Sequence, residues 1–249
     1  MPWSGEHPQV SVVVPVFRKA GTVRALLQEF ELFISFSSID CELIIVDDGS
    51  SKNISDELFL FAAEREAVRY IKHETNLGKG RAIADGVAIA AAPIIVFTDV
   101  DMSYSPSFIE HVYARFNSDP RVHFIVGSRR HPESDIKLNY NIPHRITSWC
   151  YNMLARVVVG MIFSDVQCGI KAFRRDAARL LFSDLTVARF AFDSEIFLRA
   201  KKYGLRFYEM PVVYQRIKST PHWIISSGVK MIIDLWYLYA TSRAHRSKT

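Results

Sequence analysis

Two aspartates, Asp99 and Asp101, stand one residue apart where an apolar run, "APIIVFTDVD", gives out. A carboxylate pair at the end of a buried strand is unfavourable unless something neutralises it. Water does so if the strand end is open. A divalent cation does so too, and Mg2+ or Mn2+ needs only one or two protein carboxylates when substrate phosphates fill other positions. In an extended or turning backbone this spacing lets both carboxylates approach one ion from the same side. Two more apolar runs end in polar sets: "CELIIVDDGS" in Asp47 and Asp48, and "VHFIVGSRR" in Ser128 and Arg129. "NLGKGRA" brings glycines and cations to a helix start, where N–H groups and the helix dipole favour anions. It is not a P-loop, because the first glycine of that motif is missing at the required distance, and no G-x-G-x-x-G follows the first strand. Taken singly, the paired aspartates read better as a solvated turn, and "VDDGS" as a strand stop with a turn. Their shared position at strand ends is what points to a site.

The elements between these residues must bring them together. "VSVVVPVF" (Val10 to Phe17) and "CELIIVDDGS" read as strands buried on both faces. Helices are expected from Thr22 to Phe36 and from Ser55 to Glu66, then a short strand, "VRYIKHE". A third helix, "GKGRAIADGVAIAAA", leads to the strand "PIIVFTDVD", the helix "SFIEHVYARFN" and the strand "VHFIVGSRR". Alternating strands and helices imply crossover units and a mostly parallel sheet, which binds ligands beyond the carboxyl ends of its strands. Further on, "HRITSWCYNMLARVVVGMIF" carries Arg145, Ser148, Asn152 and Arg156 as one polar stripe on an otherwise apolar helix. "SDVQCGIKAFRRD" is a loop into a short strand, and "FAFDSEIFLRAKKYGLRFYEMPVVY" a helix, a stop at Gly204 and a strand. The tail, "HWIISSGVKMIIDLWYLYATSRAHRSK", is amphipathic and marginal in length for a bilayer span of about 20 apolar residues; it suits the membrane interface better.

The chain has 249 residues, 49% of them hydrophobic and 23% charged, enough for a sizeable core. Its net charge of +5 suits anionic partners such as nucleotides or phospholipids without choosing among them. The cations are dispersed and no nucleic-acid recognition module is present, so nucleic-acid binding is not expected. Three cysteines fit neither a disulfide framework nor a zinc site, and a reducing compartment is the simpler reading. The N-terminus lacks the pattern of a signal peptide.

"VSVVVPVF", "LIIVDDGS", "NLGKGRAIADG", "FTDVDMSYSP" and "VGSRR" follow one another in the order and spacing of family 2 glycosyltransferases, which the chain resembles along nearly its whole length. "DVQCGIKAFRRDAARLLF" and "FAFDSEIFLRAKKYG" are similar to dolichyl-phosphate β-glucosyltransferases and bacterial polyprenyl-phosphate glycosyltransferases. The resemblance implies an α/β GT-A fold: a single Rossmann-like, mostly parallel sheet flanked by helices, with C-terminal amphipathic helices. It implies a catalytic domain over 1–220 and a membrane-associated segment over 221–249. The reaction implied is inverting transfer of glucose or mannose from UDP-glucose or GDP-mannose to a polyprenyl phosphate, at the cytoplasmic face of a membrane, by a peripheral enzyme that is free to self-associate. A soluble or glycan acceptor, or a nucleotide-sugar-binding protein without turnover, are the alternatives.

Residue by residue, the resemblance places Pro15, Phe17, Val46, Asp48, Asp99 and Val100 at the donor, with Lys79 beside it. Arg216 and Lys218 fall in a basic loop that closes over the nucleotide. Asp99 and Asp101 match the metal pair, with Ser103 as a further contact for Mg2+ or Mn2+. Arg129 matches an arginine near the sugar or phosphates, and Asp193 the acceptor-side acid. Asp165, Gln167 and Lys171 form an acceptor loop. Relatives carry an acid four residues after the proline, where this chain has Lys19.

Overall fold

A computed structural model describes residues 7–17, 27–28, 31, 39–100, 103–105, 107–137, 142–161, 163–187, 191–214, 233–238 and 240; over 142–148 it describes the backbone alone. Leu27, Gln28 and Glu31 of the expected helix over 22–36 are helical; the rest of that helix, Lys19, Asp101, Arg216, Lys218 and most of the tail lie outside the described residues.

The strands are β1 (Val10–Val16), β2 (Cys41–Asp47), β3 (Val68–Lys72), β4 (Ile94–Phe97), β5 (Phe124–Ser128), β7 (Lys171–Arg174) and β8 (Phe207–Pro211), which form one sheet in the order β3-β2-β1-β4-β7-β5-β8. A small second sheet pairs β6 (Asp135–Ile136) with β9 (Val213–Tyr214). In the large sheet only β7 runs antiparallel to its neighbours, β4 and β5. The chain adds β2 and β3 on one side of β1, then crosses to place β4 on the other. The crevice at that reversal is where open α/β sheets bind ligands. The carboxyl ends of β1, β2, β4 and β5 point to one edge, and the reversed β7 starts at that edge, Lys171 lying opposite Phe97 and Val126.

The helices are α1 (Lys52–Ala63), α2 (Lys79–Ile89), α3 (Ser107–Ser118), α4 (Ile142–Val159), α5 (Arg175–Phe182) and α6 (Phe192–Lys202). The uninterrupted β-branched runs of β1 and β2 feed two cores, one on each face. Val12, Val14, Leu43 and Ile45 pack with Phe108 and Val112 of α3. Val13, Ile44 and Val46 pack with Ile83 and Val87 of α2 and with a set of aromatics. That set runs under the site: Phe173 stacks between Phe97 and Phe124, and Phe124 stacks on Phe207.

No element is expected over most of α5, the expected strand through "PVVY" divides into β8 and β9, and β6 is not expected. At Asn152 and Arg156 the polar stripe of α4 turns inward. Asn152 is buried and accepts from Val166 N, and Arg156 Nε donates to Phe163 O. Trp149, Met153, Leu154 and Val157 are exposed. Residues 233–238 are helical: Leu235 enters the α2-side core and Leu238 packs with Val187 and Ala191, while Ile233, Trp236 and Tyr237 stay exposed.

Candidate active site

Three ion pairs line the edge where the strands end. Lys79 Nζ donates to Asp99 Oδ1 at 2.6 Å. Arg129 donates to Asp165 through Nε at 2.6 Å and Nη2 at 2.8 Å, and its backbone N–H adds a third bond at 3.2 Å. Lys171 Nζ donates to Asp193 Oδ1 at 2.6 Å and to Cys168 O at 2.7 Å. Both lysine ammoniums lie over the ring of Phe97, at 5.9 Å for Lys79 and 5.4 Å for Lys171, so one buried aromatic seats two cations.

The first pair depends on the turn before α2. Asp48 accepts from His73 and Leu77 N on Oδ1, and from Asn76 Nδ2 and Gly78 N on Oδ2. Both oxygens are therefore engaged by the chain's own donors, and Asp48 is buried. Gly78 follows with a φ of 103°, a conformation that side chains resist, and opens α2 at Lys79. Asp48 thus shapes the loop that delivers Lys79. Its neighbour Asp47 ties the turn after β2, accepting from Ser50 N, Ser55 Oγ and Tyr70 OH. Burial opposes ionisation of Asp47, but these bonds outweigh it and its carboxyl titrates below the ordinary range.

The other pairs depend on the segment between α4 and β7. Burial opposes ionisation of Asp165, yet the Arg129 charge and its hydrogen bonds hold the carboxyl below its usual value. Asp193 behaves the other way. Burial pushes it up, and the charges of Lys171 and Lys79 offset this only in part. Its place in the first turn of α6 suits an anion. Asp193 has a side-chain exposure of 9%, whereas Lys171 has none. Cys168 is buried and its thiol is pushed up to about 11, so it is no nucleophile.

Pro15 and Phe17 are half-buried at the end of β1. The side chains of Val46 and Val100 lie in the two cores, leaving the main chain as what they offer a ligand. Asp99 is the open carboxylate of the group, with 37% side-chain exposure. Ser103 is buried one residue before Tyr104, whose hydroxyl accepts from Gly169 N at 2.8 Å. Of the three residues expected at the acceptor, Asp165 and Lys171 are closed off by their ion pairs, and Gln167 is half-buried. His73, Asn76, Tyr104 and Gly169 were not singled out from sequence; "NLGKG" held a signal for Asn76, and nothing local marked the others.

The glycosyl transferase family 2 model matches residues 11–182. The chain belongs to that family. It is a glycosyltransferase of mixed α/β architecture, and the solved structures that it resembles are GT-A glycosyltransferases. A dolichyl-phosphate beta-glucosyltransferase of Trichomonas vaginalis is 28% identical over 241 residues, 94% of this chain and 71% of that protein. The human dolichyl-phosphate beta-glucosyltransferase is 27% identical over 250 residues, 95% of this chain and 76% of its own length. Glucosyl-3-phosphoglycerate synthase from Mycobacterium tuberculosis, solved with Mn2+, UDP and glucosyl-3-phosphoglycerate, superimposes with a TM-score of 0.67 at 16% identity, over 93% of this chain and 80% of that one. That likeness is one of fold.

Among the described residues no group of three or more His, Cys, Asp or Glu could hold a metal ion, so a divalent cation would have Asp99 as its one accessible carboxylate there. Asp99 presents an accessible oxygen donor beside a cation, and such an ion takes few protein carboxylates when a diphosphate is present. The hydroxyl of Thr98, next to Asp99, is buried with no hydrogen-bond partner among the described residues, as happens around functional sites.

Proposed function

We propose that this glycosyltransferase moves a hexose from a nucleotide diphosphate sugar to a polyprenyl phosphate at a membrane surface, with Mg2+ or Mn2+. The observation that carries the reading is the set of dolichyl-phosphate beta-glucosyltransferases from distant organisms that match more than nine-tenths of this chain. A donor is accommodated by the crevice at β1, β2 and β4, with Pro15 and Phe17 against the nucleoside and Lys79 and Asp99 toward the diphosphate. The family resemblance assigns Arg216 and Lys218 to the nucleotide. Glucose is the preferred sugar, from the names of the same relatives, and UDP-glucose the preferred donor, from the glucosyl-3-phosphoglycerate synthase solved with it.

In the transfer, a phosphate oxygen of the acceptor forms a bond to the anomeric carbon while the bond to the nucleotide diphosphate breaks on the opposite face, so the configuration inverts. Negative charge grows on the departing diphosphate, and Arg129, held near the site, stabilises it. A divalent ion held by Asp99 and Asp101, with Ser103 beside them, would supply further neutralisation there. The acceptor phosphate is largely ionised near pH 7, its second pKa being about 6, so it needs no strong base. Asp193, whose proton is held more tightly than usual, orients the sugar hydroxyls or the acceptor. Of the three loop residues that the family resemblance assigns to the acceptor, Gln167 lies outside the two ion pairs and keeps that role.

The exposed apolar face of α4 supports a lipid surface as the source of acceptor. Trp149, Met153 and Val157 follow one another at four-residue steps, with Trp236 and Tyr237 exposed on the C-terminal helix. Aromatic residues favour the interface, and the basic sequence "SRAHRSK" adds attraction of about 1 kcal/mol per cation near anionic lipid. Among the described residues no helix is long and apolar enough to cross a membrane.

The test is an acceptor panel. The protein, labelled UDP-glucose or GDP-mannose and Mn2+ are incubated with a short polyprenyl phosphate or with 3-phosphoglycerate. Label partitioning into organic solvent supports the reading; label found only in a water-soluble product contradicts it.

A further inference from the structure

The segment from Phe163 to Lys171 carries two charged side chains, Asp165 and Lys171, that are almost wholly withdrawn from solvent. The rest of the molecule pins this segment at several points. Ser164 donates through N and Oγ to Glu209 of β8, at 2.5 and 2.7 Å. Val166 N donates to Asn152 of α4 at 3.0 Å, and Gly169 N to Tyr104 OH at 2.8 Å. A loop fixed from three elements presents its side chains with little freedom.

The use of those side chains follows a pattern. Asp165, an anion, takes one edge of the Arg129 guanidinium, through Nε and Nη2, and leaves Nη1 without a partner among the described residues. Lys171, a cation, takes Oδ1 of Asp193 and leaves Oδ2 likewise without a partner. Each group is thus neutralised on one side by a buried counter-charge, with a further polar atom that makes no hydrogen bond among the described residues. The buried member also fixes direction, since a bidentate guanidinium–carboxylate pair permits little rotation.

We propose that this segment is a positioning device: Asp165 and Lys171 set the orientation of Arg129 and Asp193, and neither meets the acceptor. The inference rests on the reading above, in which Arg129 and Asp193 face the reacting groups. It replaces the acceptor role that the family resemblance implies for Asp165 and Lys171. The energetic logic is asymmetric. Removing one partner of a buried pair leaves an uncompensated charge, whereas removing both leaves none.

The experiment compares Asp165→Asn, Lys171→Met, Lys171→Arg, Asp193→Asn and the double variant Lys171→Met/Asp193→Asn in the full chain, by thermal melt and by steady-state transfer from UDP-glucose to a polyprenyl phosphate. Misplacement of a group by about 1 Å costs up to about 100-fold in rate. Asp165→Asn and Lys171→Met are therefore expected to lose on the order of 10- to 100-fold in kcat, while the KM for the donor changes by less than about threefold. Lys171→Arg, which keeps the cation, is expected to recover part of the loss. Lys171→Met/Asp193→Asn is expected to melt no lower than Lys171→Met and to turn over no more slowly than Asp193→Asn. If Lys171→Met does not fold, Asp165→Asn and the double variant decide. Folded Asp165→Asn and Lys171→Met with kcat within about threefold of the parent, or with kcat and donor affinity lost in equal measure, would overturn the positioning role. Full turnover by both Asp193→Asn and Arg129→Ala would instead overturn the functional reading beneath it.

Discussion

Gly169→Ala tests the site at a single atom. Gly169 is buried and its φ lies outside the left-handed region, so alanine fits the backbone. The obstacle is steric. A methyl group there would lie 2.8 Å from Asp99 Cγ and nearer still to Asp99 Oδ2, with Tyr104 Cε2 at 3.1 Å. Non-bonded carbons settle at about 3.5–4.0 Å, so something must retreat by roughly 1 Å. Tyr104 has little room to do so: its ring packs on Tyr214 at 5.0 Å between centroids, and its hydroxyl is bonded to Gly169 N. The Asp99 carboxylate must move instead, and its 2.6 Å bond to Lys79 goes with it. Because the atoms that move are the end of an open carboxylate, the stability cost is mainly that of the partly exposed ion pair, about 0–1 kcal/mol. The catalytic effect is larger, on the order of 100-fold in kcat, because Asp99 is the open carboxylate of the site. Transfer kinetics, UDP binding by calorimetry with Mn2+, and a thermal melt read the three quantities separately. A folded Gly169→Ala protein with turnover and UDP affinity within about threefold of the parent would refute the placement of Asp99 at the donor.

Other expectations follow from the same geometry. Leu77 N and Gly78 N donate to different oxygens of Asp48, so Asp48→Asn, with one acceptor oxygen, deprives one of them; it should cost about 1–3 kcal/mol in a denaturant melt and weaken UDP binding by disordering the approach to Lys79. Asp165 titrates lower when folded than its unfolded value of about 3.9. Its ionised form therefore contributes stability that is complete above about pH 5 and is lost as pH falls through the folded value. Melts of the parent and Asp165→Asn should accordingly differ most near neutrality and converge only as pH falls through that lowered folded value. Trp149→Ser/Val157→Ser/Trp236→Ser should float less with anionic vesicles than the parent at an unchanged melting temperature; equal flotation would remove α4 as the membrane face.

The parallel frame was legible because β1 and β2 are continuous β-branched runs, a pattern that only a strand covered on both faces needs. Strand order was not. β7 is four residues, "KAFR", with no hydrophobic run to mark it, and its reversed direction arises from pairing with β4 and β5. The short helix α5 escaped because its arginines and aspartate resemble a loop until Leu181 and Phe182 are seen in the core. The stripe on α4 was visible, but its direction was not, since the partners of Asn152 and Arg156 lie in the loop beyond the helix. The candidate acids were found by position at strand ends and by family resemblance. Their counter-ions were named as well, but the pairing was not legible, because Arg129 and Asp165 are 36 residues apart, Lys171 and Asp193 22, and only the folded sheet edge brings them into contact.

The central claim is tested most directly by metal-dependent lipid glycosylation. The purified protein is incubated with labelled UDP-glucose and a short polyprenyl phosphate, with Mn2+ or with EDTA, alongside Asp101→Ala. Labelled lipid that forms with Mn2+, disappears with EDTA and fails to form with a folded Asp101→Ala protein is the predicted result. Labelled lipid formed equally in EDTA, or by Asp101→Ala, would contradict the metal-assisted account; UDP binding with no labelled lipid under any condition would contradict the acceptor.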